Sequence, residues 1–367
     1  MSRQKLQPDS IPADTVPYKT SRRLSWPDAA KGVGILLVVL GHVSGGLIDS
    51  TVAISDSPLR EIFMAIYVFH MPLFFFLSGL FVVDRIQSDQ KKFLTGIARN
   101  LYYPYILWSF IQYSIISSAA SVTNTPPGDY ISTVLRIPIH PVSQFWFLFS
   151  LAAMHLLSLG MLPRIGPIGI LIAAVILKSL DDMFQFSQIA ISGTLHFYIF
   201  YAFGLCLGSS GTERLIRAGR TLTRDIVAAI LGFALLITAV HIMIQTTTPA
   251  VFYKDAPRLP AAWLATIAWG QVGIGAGVLM AAVVILWSDR ATGTLKWVLV
   301  YLGRKSMSIY ILHVIFAAGC RIVLVKLFHV SDLVIILPVV LAAGLAGPLI
   351  IDWLLGRVHA LRAVGLA

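Results

Sequence analysis

The chain has 367 residues, of which 57% are hydrophobic and only 12% are charged, and its formal net charge is +11. A soluble domain of this size could not bury so much apolar surface, so the composition excludes an ordinary soluble protein. The two cysteines, Cys206 and Cys320, lie in apolar runs without the spacing of a disulfide framework or a metal site. The expected fold class is therefore all-α, a polytopic membrane helical bundle.

Ten segments of the sequence have the length and apolar character of a bilayer span, which needs about 20 mostly apolar residues. They lie near residues 29–48, 62–83, 101–120, 145–162, 165–180, 191–208, 225–244, 262–287, 306–328 and 333–355. The sequence thus predicts one membrane domain of about ten transmembrane helices over residues 26–358. Residues 1–25 are polar and basic, which predicts a disordered cytoplasmic tail, not a cleavable signal peptide, and residues 359–367 are predicted to be a short cytoplasmic tail.

The basic residues predict how these helices are oriented. If the ten spans alternate, twenty of the 28 lysines and arginines fall on the side of the N-terminus and five on the opposite side. This positive-inside pattern predicts that both termini are cytoplasmic in a plasma membrane, the inner membrane of a bacterium, with lipids as the surrounding partner. Nucleic-acid binding would need a basic patch with a reading module, and the sequence has neither.

The first span, "DAAKGVGILLVVLGHVSGG", carries Asp28, Lys31 and His42 in an otherwise apolar run. Lys31 and His42 are eleven residues apart, about three helical turns plus 20°, so they share one helix face at a separation of roughly 16 Å. Asp28 precedes Lys31 by one turn and can pair with it. Because ionisable groups in a bilayer usually face the bundle interior or a wet cavity, the stripe predicts a path towards a buried imidazole. In the alternative interpretation, Lys31 extends to the headgroups and His42 bonds a neighbouring helix.

Further polar residues occur at comparable depth in other spans. His70 lies in "YVFHMPLFFFLSG" and His313 in "YLGRKSMSIYILHVIF", with Arg321 two turns beyond His313. A guanidinium cannot lose its charge, so Arg321 requires an anionic or strongly polar partner. Interhelical hydrogen bonding is the better explanation for His155 and His196, which also lie in spans.

These segments resemble the signatures of the acyltransferase-3 family of membrane acyltransferases. "SWPDAAKGVGILLVVLGH" is similar to the family's opening signature, in which a basic residue precedes a histidine by eleven positions. "YVFHMPLFFFLSGLFV" and "FWFLFSLAAMHLL" resemble the second helix and the tryptophan-containing fourth helix. "YLGRKSMSIYILHVIF" is similar to the ninth-helix signature of the branch related to sugar O-acetylases, and the likeness extends from about Leu24 over nearly the whole chain.

The resemblance implies transfer of an acyl group, usually acetyl from acetyl-CoA, to a hydroxyl of a cell-envelope carbohydrate or a lipid-linked sugar. The acyl-CoA would be a donor substrate, with no bound cofactor, no metal and no nucleic-acid partner. His42 corresponds to the family's essential histidine and Lys31 to its basic partner, and Asp28 at the entrance completes the catalytic group that we expect. An imidazole can take the proton of the attacking hydroxyl, by direct attack or through a transient acyl-histidine.

The donor contacts depart from the family pattern at one place. Many members carry an Arg-x-x-Arg pair entering the third helix, where this sequence has Gly96 and Arg99. On the resemblance, Arg99 would bind CoA phosphates together with Arg85, Lys91 or Lys92. The thioester carbonyl also needs hydrogen-bond donors where its oxyanion develops; His70, His313, Tyr310 and Arg321 are candidates. The residues expected to bind substrate are His70, Arg99, Trp146, Tyr310, His313 and Arg321.

Two other functions would fit a ten-span protein with buried polar groups. A transporter or flippase of envelope glycan precursors is the main alternative, but the sequence has no matched pair of broken helices in two halves. A non-catalytic sensor or scaffold would not need the aligned Lys31–His42 stripe. The sequence therefore favours an enzyme, and most of the weight comes from the family resemblance.

Overall fold

The structure is a computed structural model that describes residues 24–50, 58–123, 127–184, 186–218, 220–246 and 262–366. Most of the predicted tail over residues 1–25 lies outside these ranges. The described residues form helices and no strand, which confirms the all-α prediction. The α-helices are α1 (Trp26–Asp49), α2 (Pro58–Gly79), α3 (Val82–Ser88), α4 (Gln90–Ile97), α5 (Tyr103–Ser118), α6 (Tyr130–Arg136), α7 (Trp146–Phe184), α8 (Ile189–Arg217), α9 (Leu222–Thr246), α10 (Ala262–Arg290), α11 (Gly293–Arg304), α12 (Ser306–Ile322) and α13 (Leu333–Arg357).

Eight helical stretches among the described residues are long and apolar enough to cross a membrane, as expected for an integral membrane protein. The count is lower than ten for two reasons. The predicted fourth and fifth spans both fall within α7, and the predicted third span corresponds to α5, which has 16 residues. Sixteen residues extend over about 24 Å, less than the roughly 30 Å of the hydrocarbon core. A π-helical turn, Ala98–Tyr102, precedes α5 and continues it at one end.

Helix α7 consists of two antiparallel segments. Its helical geometry is interrupted at Gly166, whose φ of 65° lies in the left-handed region that glycine adopts without steric cost. Ser150 and Asp181 both hydrogen-bond to the first two turns of α8, whereas Pro167 accepts a bond from α8 about three turns further along. The chain therefore reverses at Gly166, which agrees with the predicted boundary between the fourth and fifth spans.

Helix α1 lies at the centre of the bundle, in contact with α2, α10, α11, α12 and α13. Its approach to α11 is closest, because a Cβ atom at Gly32 would lie 2.0 Å from the carbonyl oxygen of Leu299. A Cβ atom at Gly303 of α11 would lie 1.7 Å from the carbonyl oxygen of Asp28. Only glycine fits at these two positions, so the α1–α11 contact fixes the end of α1 that carries Lys31. The sequence analysis did not predict α11 as a separate helix.

The residues that follow α13 fold back onto α5. The indole nitrogen of Trp108 donates to the carbonyl oxygen of Val364 at 2.8 Å, and the Tyr103 hydroxyl donates to that of Ala363 at 2.6 Å. Most of the predicted tail over residues 359–367 is thus packed against the bundle, and residue 367 lies outside the described ranges.

Candidate active site

Three histidines from three different helices meet inside the bundle. The ring centroids of His42 on α1 and His313 on α12 are 5.0 Å apart. Tyr67 on α2 lies between His42 and His70, at 6.5 Å and 4.9 Å from their ring centroids. Residues that are far apart in the sequence, each singled out by its depth in a span, therefore form one cluster.

The three rings differ in accessibility and in their hydrogen bonds. His70 and His313 are 2% and 0% exposed, whereas His42 is half-buried and lines a cavity. Nδ1 of His70 donates to the carbonyl oxygen of Ile66 at 2.7 Å, and Nδ1 of His313 donates to that of Tyr310 at 2.8 Å. Because a carbonyl oxygen can only accept, both neutral rings carry their proton on Nδ1 and keep a lone pair on Nε2. His42 is the most accessible base of the three.

A narrow cavity of about 250 Å³ leads to this cluster, and both Lys31 and His42 line it. The two residues thus lie on the same wall. His70 also lines the cavity, and Lys31 is the one charged residue among the described residues of the wall. The rest of the wall is largely apolar and aromatic and includes Ile35, Val38, Met71, Phe74, Trp146, Phe147, Leu148 and Tyr310.

A second cavity, of about 800 Å³, adjoins the narrow one and is strongly basic. Arg85, Lys92 and Arg99 line it together with Lys31, and Asp89 is the one acidic residue of the wall within the described part of the chain. The Asp89 carboxylate accepts from the backbone N–H of Lys92 at 2.9 Å and so caps α4. Among the described residues, four line both cavities: Lys31, Ser78, Leu101 and Leu151. The wide basic cavity and the cavity that His42 lines therefore adjoin, with Lys31 in the wall of both.

The predicted donor contacts lie in this basic cavity. Arg99 belongs to the π-helical turn before α5, a type of irregularity that is frequent at functional sites. Gly96 lies in the same wall, and the nearest atom to a Cβ built there is Nδ2 of Asn100 at 3.9 Å. The space that an arginine would occupy at residue 96 is open. Lys91, one of the alternative donor contacts that the resemblance predicts, is exposed and lies outside the described wall.

Asp28 lies behind the cavity walls. Its side chain is buried, and its Oδ2 accepts from Nε of Arg304 on α11 at 3.3 Å. Asp28 therefore has an ion-pair partner on a second helix, and this pair helps to fix the position of α1 relative to α11.

Trp146 and Tyr310 form part of the narrow cavity and are held from behind. The Trp146 ring packs on Gly193 of α8, where a Cβ atom would come within 2.7 Å of the indole. The Tyr310 hydroxyl donates to the backbone carbonyl of Gln144, whose side-chain amide is paired with that of Gln112 at 3.0 and 2.8 Å. Gln144 and Tyr67 line the cavity but were not among the predicted residues. The sequence feature that could have pointed to Gln144 is its position, because it places a polar amide two residues before Trp146 of the fourth-helix motif.

Arg321 lies at the opposite end of α1 from Lys31. Its Nε is 3.7 Å from the position of a Cβ on Gly46, one turn beyond His42, and its charge interacts with that of Asp49. Asp49 is the kind of anionic partner that the sequence analysis required. Arg321 does not line the narrow cavity within the described part of the chain.

His155 extends the histidine pattern into the basic cavity. Its Nδ1 donates to the carbonyl oxygen of Leu151 on its own helix at 2.8 Å, and its ring stacks on Phe93. The bond is within α7 and is not the interhelical one that we expected, and the ring lines the wide cavity.

Comparison with known proteins agrees with this arrangement. The family model of the acyltransferase-3 domain, described as an acyltransferase domain, matches residues 24–353. The chain is similar to nodulation protein NolL of Mesorhizobium japonicum, with 33% identity over 145 residues, which cover 38% of this chain and 35% of that protein. It is also similar to nodulation protein NolL of Sinorhizobium fredii, with 29% identity over 133 residues, which cover 36% and 34%.

The aligned region thus spans about a third of each of these curated relatives. No solved structure matches the chain significantly. The family match, however, extends over nearly all the helices that surround the histidine cluster. This chain belongs to the acyltransferase-3 family.

Proposed function

We propose that this protein moves an acetyl group from acetyl-CoA on the cytoplasmic side to a hydroxyl of a cell-envelope carbohydrate or a lipid-linked sugar. The observation that carries the proposal is that the basic cavity adjoins the cavity that His42 lines, which gives the donor a path past Lys31. The excess of basic residues on one side of the predicted spans supports cytoplasmic termini, in a bacterial inner or other plasma membrane. The resemblance to the sugar O-acetylase branch supports the class of acceptor.

The shape and charge of the path suit coenzyme A. Its phosphates are anionic, and Arg85, Lys92 and Arg99 line the wide cavity in which they would bind. Its pantetheine arm is thin and neutral and carries the thioester at its end, which suits a narrow, largely apolar cavity. Lys31 lies where the two cavities meet, so its charge can hold the last phosphate while the arm extends towards His42.

The chemistry then proceeds from the accessible imidazole. His42 takes the proton of the acceptor hydroxyl while the hydroxyl oxygen attacks the thioester carbonyl carbon. The new C–O bond forms, the C–S bond breaks, and the proton passes from His42 to the departing thiolate, which leaves as free coenzyme A. If an acyl-histidine forms first, the same ring acts as the nucleophile, and rapid mixing would detect a burst of free thiol.

His313 is suited to orient His42. Its Nε2 is buried and has no hydrogen-bond partner among the described residues, and its ring lies against that of His42. A lone pair in this position can accept the N–H of His42, which fixes the tautomer and stabilises the imidazolium once the proton has been taken. In sites with an activated nucleophile, a base generally takes the proton of the nucleophile, and a third group orients that base.

The hydrogen bonds also narrow the choice of oxyanion donors. Neutral His70 and His313 present acceptors on Nε2, the Tyr310 hydroxyl is engaged by Gln144, and Arg321 is at the other end of α1. Among the described residues of the narrow wall, the N–H of Trp146 and the hydroxyls of Tyr67 and Ser306 are further donors. We propose that these donors bind the oxygen of the thioester carbonyl.

The test is a comparison of cells with and without the gene. Mass spectrometry of envelope glycans and lipid-linked sugars should show acetyl mass lost in the deletion strain, and membranes carrying the protein should transfer label from radioactive acetyl-CoA to that fraction. Unchanged acetylation in the deletion strain would contradict the proposal. A change in glycan export without any change in acetyl mass would support the transporter alternative.

A further inference from the structure

A second polar cluster lies where α7 ends and α8 begins, away from the histidine cluster. Nδ1 of His196 is 3.6 Å from Oδ2 of Asp181 and 3.9 Å from Oδ1 of Asp182. One ligating atom from each of these three residues lies within 4.8 Å of the other two. Three donors of the types that bind transition metals thus face one another across two helices.

Both carboxylates are buried, and one has an oxygen without a partner. The side chains of Asp181 and Asp182 are 7% and 10% exposed. Oδ1 of Asp181 has no hydrogen-bond partner among the described residues. An unsatisfied carboxylate oxygen in a buried site is costly, so the geometry indicates that a ligand completes it.

The surrounding residues orient the two carboxylates. The Lys178 ammonium, which is 2% exposed, holds Oδ2 of Asp182 at 2.5 Å, and so Oδ1 faces His196. The Ser192 hydroxyl donates to Oδ2 of Asp181 at 3.1 Å. Hydrogen bonds of this kind to ligand carboxylates are usual in metal sites, where they fix the ligand's orientation.

The charge of the cluster also calls for a cation. Two carboxylates face the single ammonium of Lys178, so acidic groups outnumber lysine and arginine groups in the cluster. Buried charges without compensation are costly, and adjacent like charges add to the cost. A divalent cation would balance the charge of the two carboxylates, and Oδ1 of Asp181 would offer it a further ligand atom.

We propose that Asp181, Asp182 and His196 bind a divalent transition-metal cation of the zinc type. Zinc binds histidine nitrogen and carboxylate oxygen at about 2.0–2.2 Å, so its ligand atoms lie roughly 3.3–3.6 Å apart in a tetrahedral site. Nδ1 of His196 and Oδ2 of Asp181, 3.6 Å apart, already have this spacing. Nδ1 of His196 and Oδ1 of Asp182, 3.9 Å apart, would have to move only slightly closer together. His196 is 38% exposed, which leaves an open side for a water ligand and for entry of the ion.

A metal in this position would fasten the second segment of α7 to the start of α8. Gly193, in the same turn of α8 as Ser192, packs directly on the Trp146 ring of the narrow cavity. The ion would therefore stabilise the fold beside that wall without contacting the reacting groups. Its expected signature is metal content and thermal stability, which are independent of acyl transfer.

The experiment uses the purified full-length protein in lipid nanodiscs, stripped with a chelator and then mixed with Zn²⁺ alone. After gel filtration, mass spectrometry of the metal content should give about one zinc per chain, because a ligand that binds only the folded state is retained and raises its melting temperature. Asp181→Asn and His196→Gln should lose the bound zinc and the thermal shift. His241→Gln, the same substitution at an exposed position on α9, should retain both.

Two results would overturn the proposal. One is wild-type protein that binds no zinc after stripping and reloading. The other is zinc bound equally by the wild type and by His196→Gln, which would assign the ion to another site. The wild-type measurement does not depend on any variant folding.

Discussion

The bundle contains two polar clusters with histidines, and the sign of the fixed charge around them differs. The cavity next to that of His42 is lined by basic side chains, and Asp89, the one acidic residue among its described lining, serves as a helix cap. His196 instead faces two buried carboxylates. The first environment suits the anionic donor and the imidazole base that we propose. The second suits the cation that we propose for His196, so the neighbouring charges distinguish the proposed roles of the two histidines.

The largest effect is expected when His42 is replaced by glutamine. A glutamine can still hydrogen-bond a neighbouring helix but cannot take up a proton at neutral pH, so acyl transfer should fall by about 10²- to 10⁴-fold. The measurement is transfer of label from acetyl-CoA at equal protein level in the membrane. Near-normal transfer by His42→Gln, with His241→Gln as the control, would remove His42 as the base.

A smaller loss is expected from His313→Gln. Loss of an orienting partner typically costs about 10- to 100-fold, and it should appear in kcat because donor binding does not involve His313. The measurement is the full dependence of rate on acetyl-CoA concentration. A rise in the KM for acetyl-CoA at constant kcat would instead make His313 a binding residue.

Substitutions in the basic cavity test whether it binds the donor, acetyl-CoA. Arg99→Ala should raise the KM for acetyl-CoA by roughly tenfold and leave kcat nearly unchanged, because phosphate contacts act in the ground state and the transition state alike. Lys91→Ala removes the same charge from an exposed position outside the described wall, and its KM should stay close to that of the wild type. Equal effects of the two substitutions would indicate general electrostatic attraction without a specific site.

The smallest effect is expected from an added arginine. The space around Gly96 is open, so Gly96→Arg should fit without a clash and place a second guanidinium one turn from Arg99. We expect the KM for acetyl-CoA to fall by a few-fold, in line with about 1 kcal/mol for one more partly exposed charged contact. An unchanged or higher KM would mean that the donor phosphates do not reach this part of the wall.

Much of the central region could be predicted from the sequence because helix periodicity is rigid. The spacing of Lys31 and His42 fixed their common face, and the depth of His70 and His313 in their spans brought them to the same level. The reversal at Gly166 could also be predicted, because two prolines and a glycine interrupt the apolar run there.

The remaining features depend on neighbours that the sequence does not specify. Arg321 shares its helix with His313 but lies beside Gly46 and Asp49, because the level of a residue in a span does not determine which helix it faces. Helix α11 has only 12 residues and carries charges, so it lacks the length and the apolar character by which the sequence reveals a membrane span. Asp181 and Asp182 lie beside His196 because of how the end of α7 packs against the start of α8, which their positions in the sequence do not specify.

The central claim is that the donor occupies the path between the basic cavity and His42, and Ser78 allows a direct test. Ser78 lines both cavities, and its hydroxyl only donates to the Phe74 carbonyl of its own helix, so Ser78→Cys should be tolerated. In a background without Cys206 and Cys320, the rate at which a small thiol reagent labels this cysteine is measured with and without coenzyme A. Coenzyme A at ten times its dissociation constant should slow labelling by about tenfold and leave the exposed control Ser118→Cys unaffected. Labelling of Ser78→Cys at the same rate in the presence and absence of coenzyme A would contradict the account.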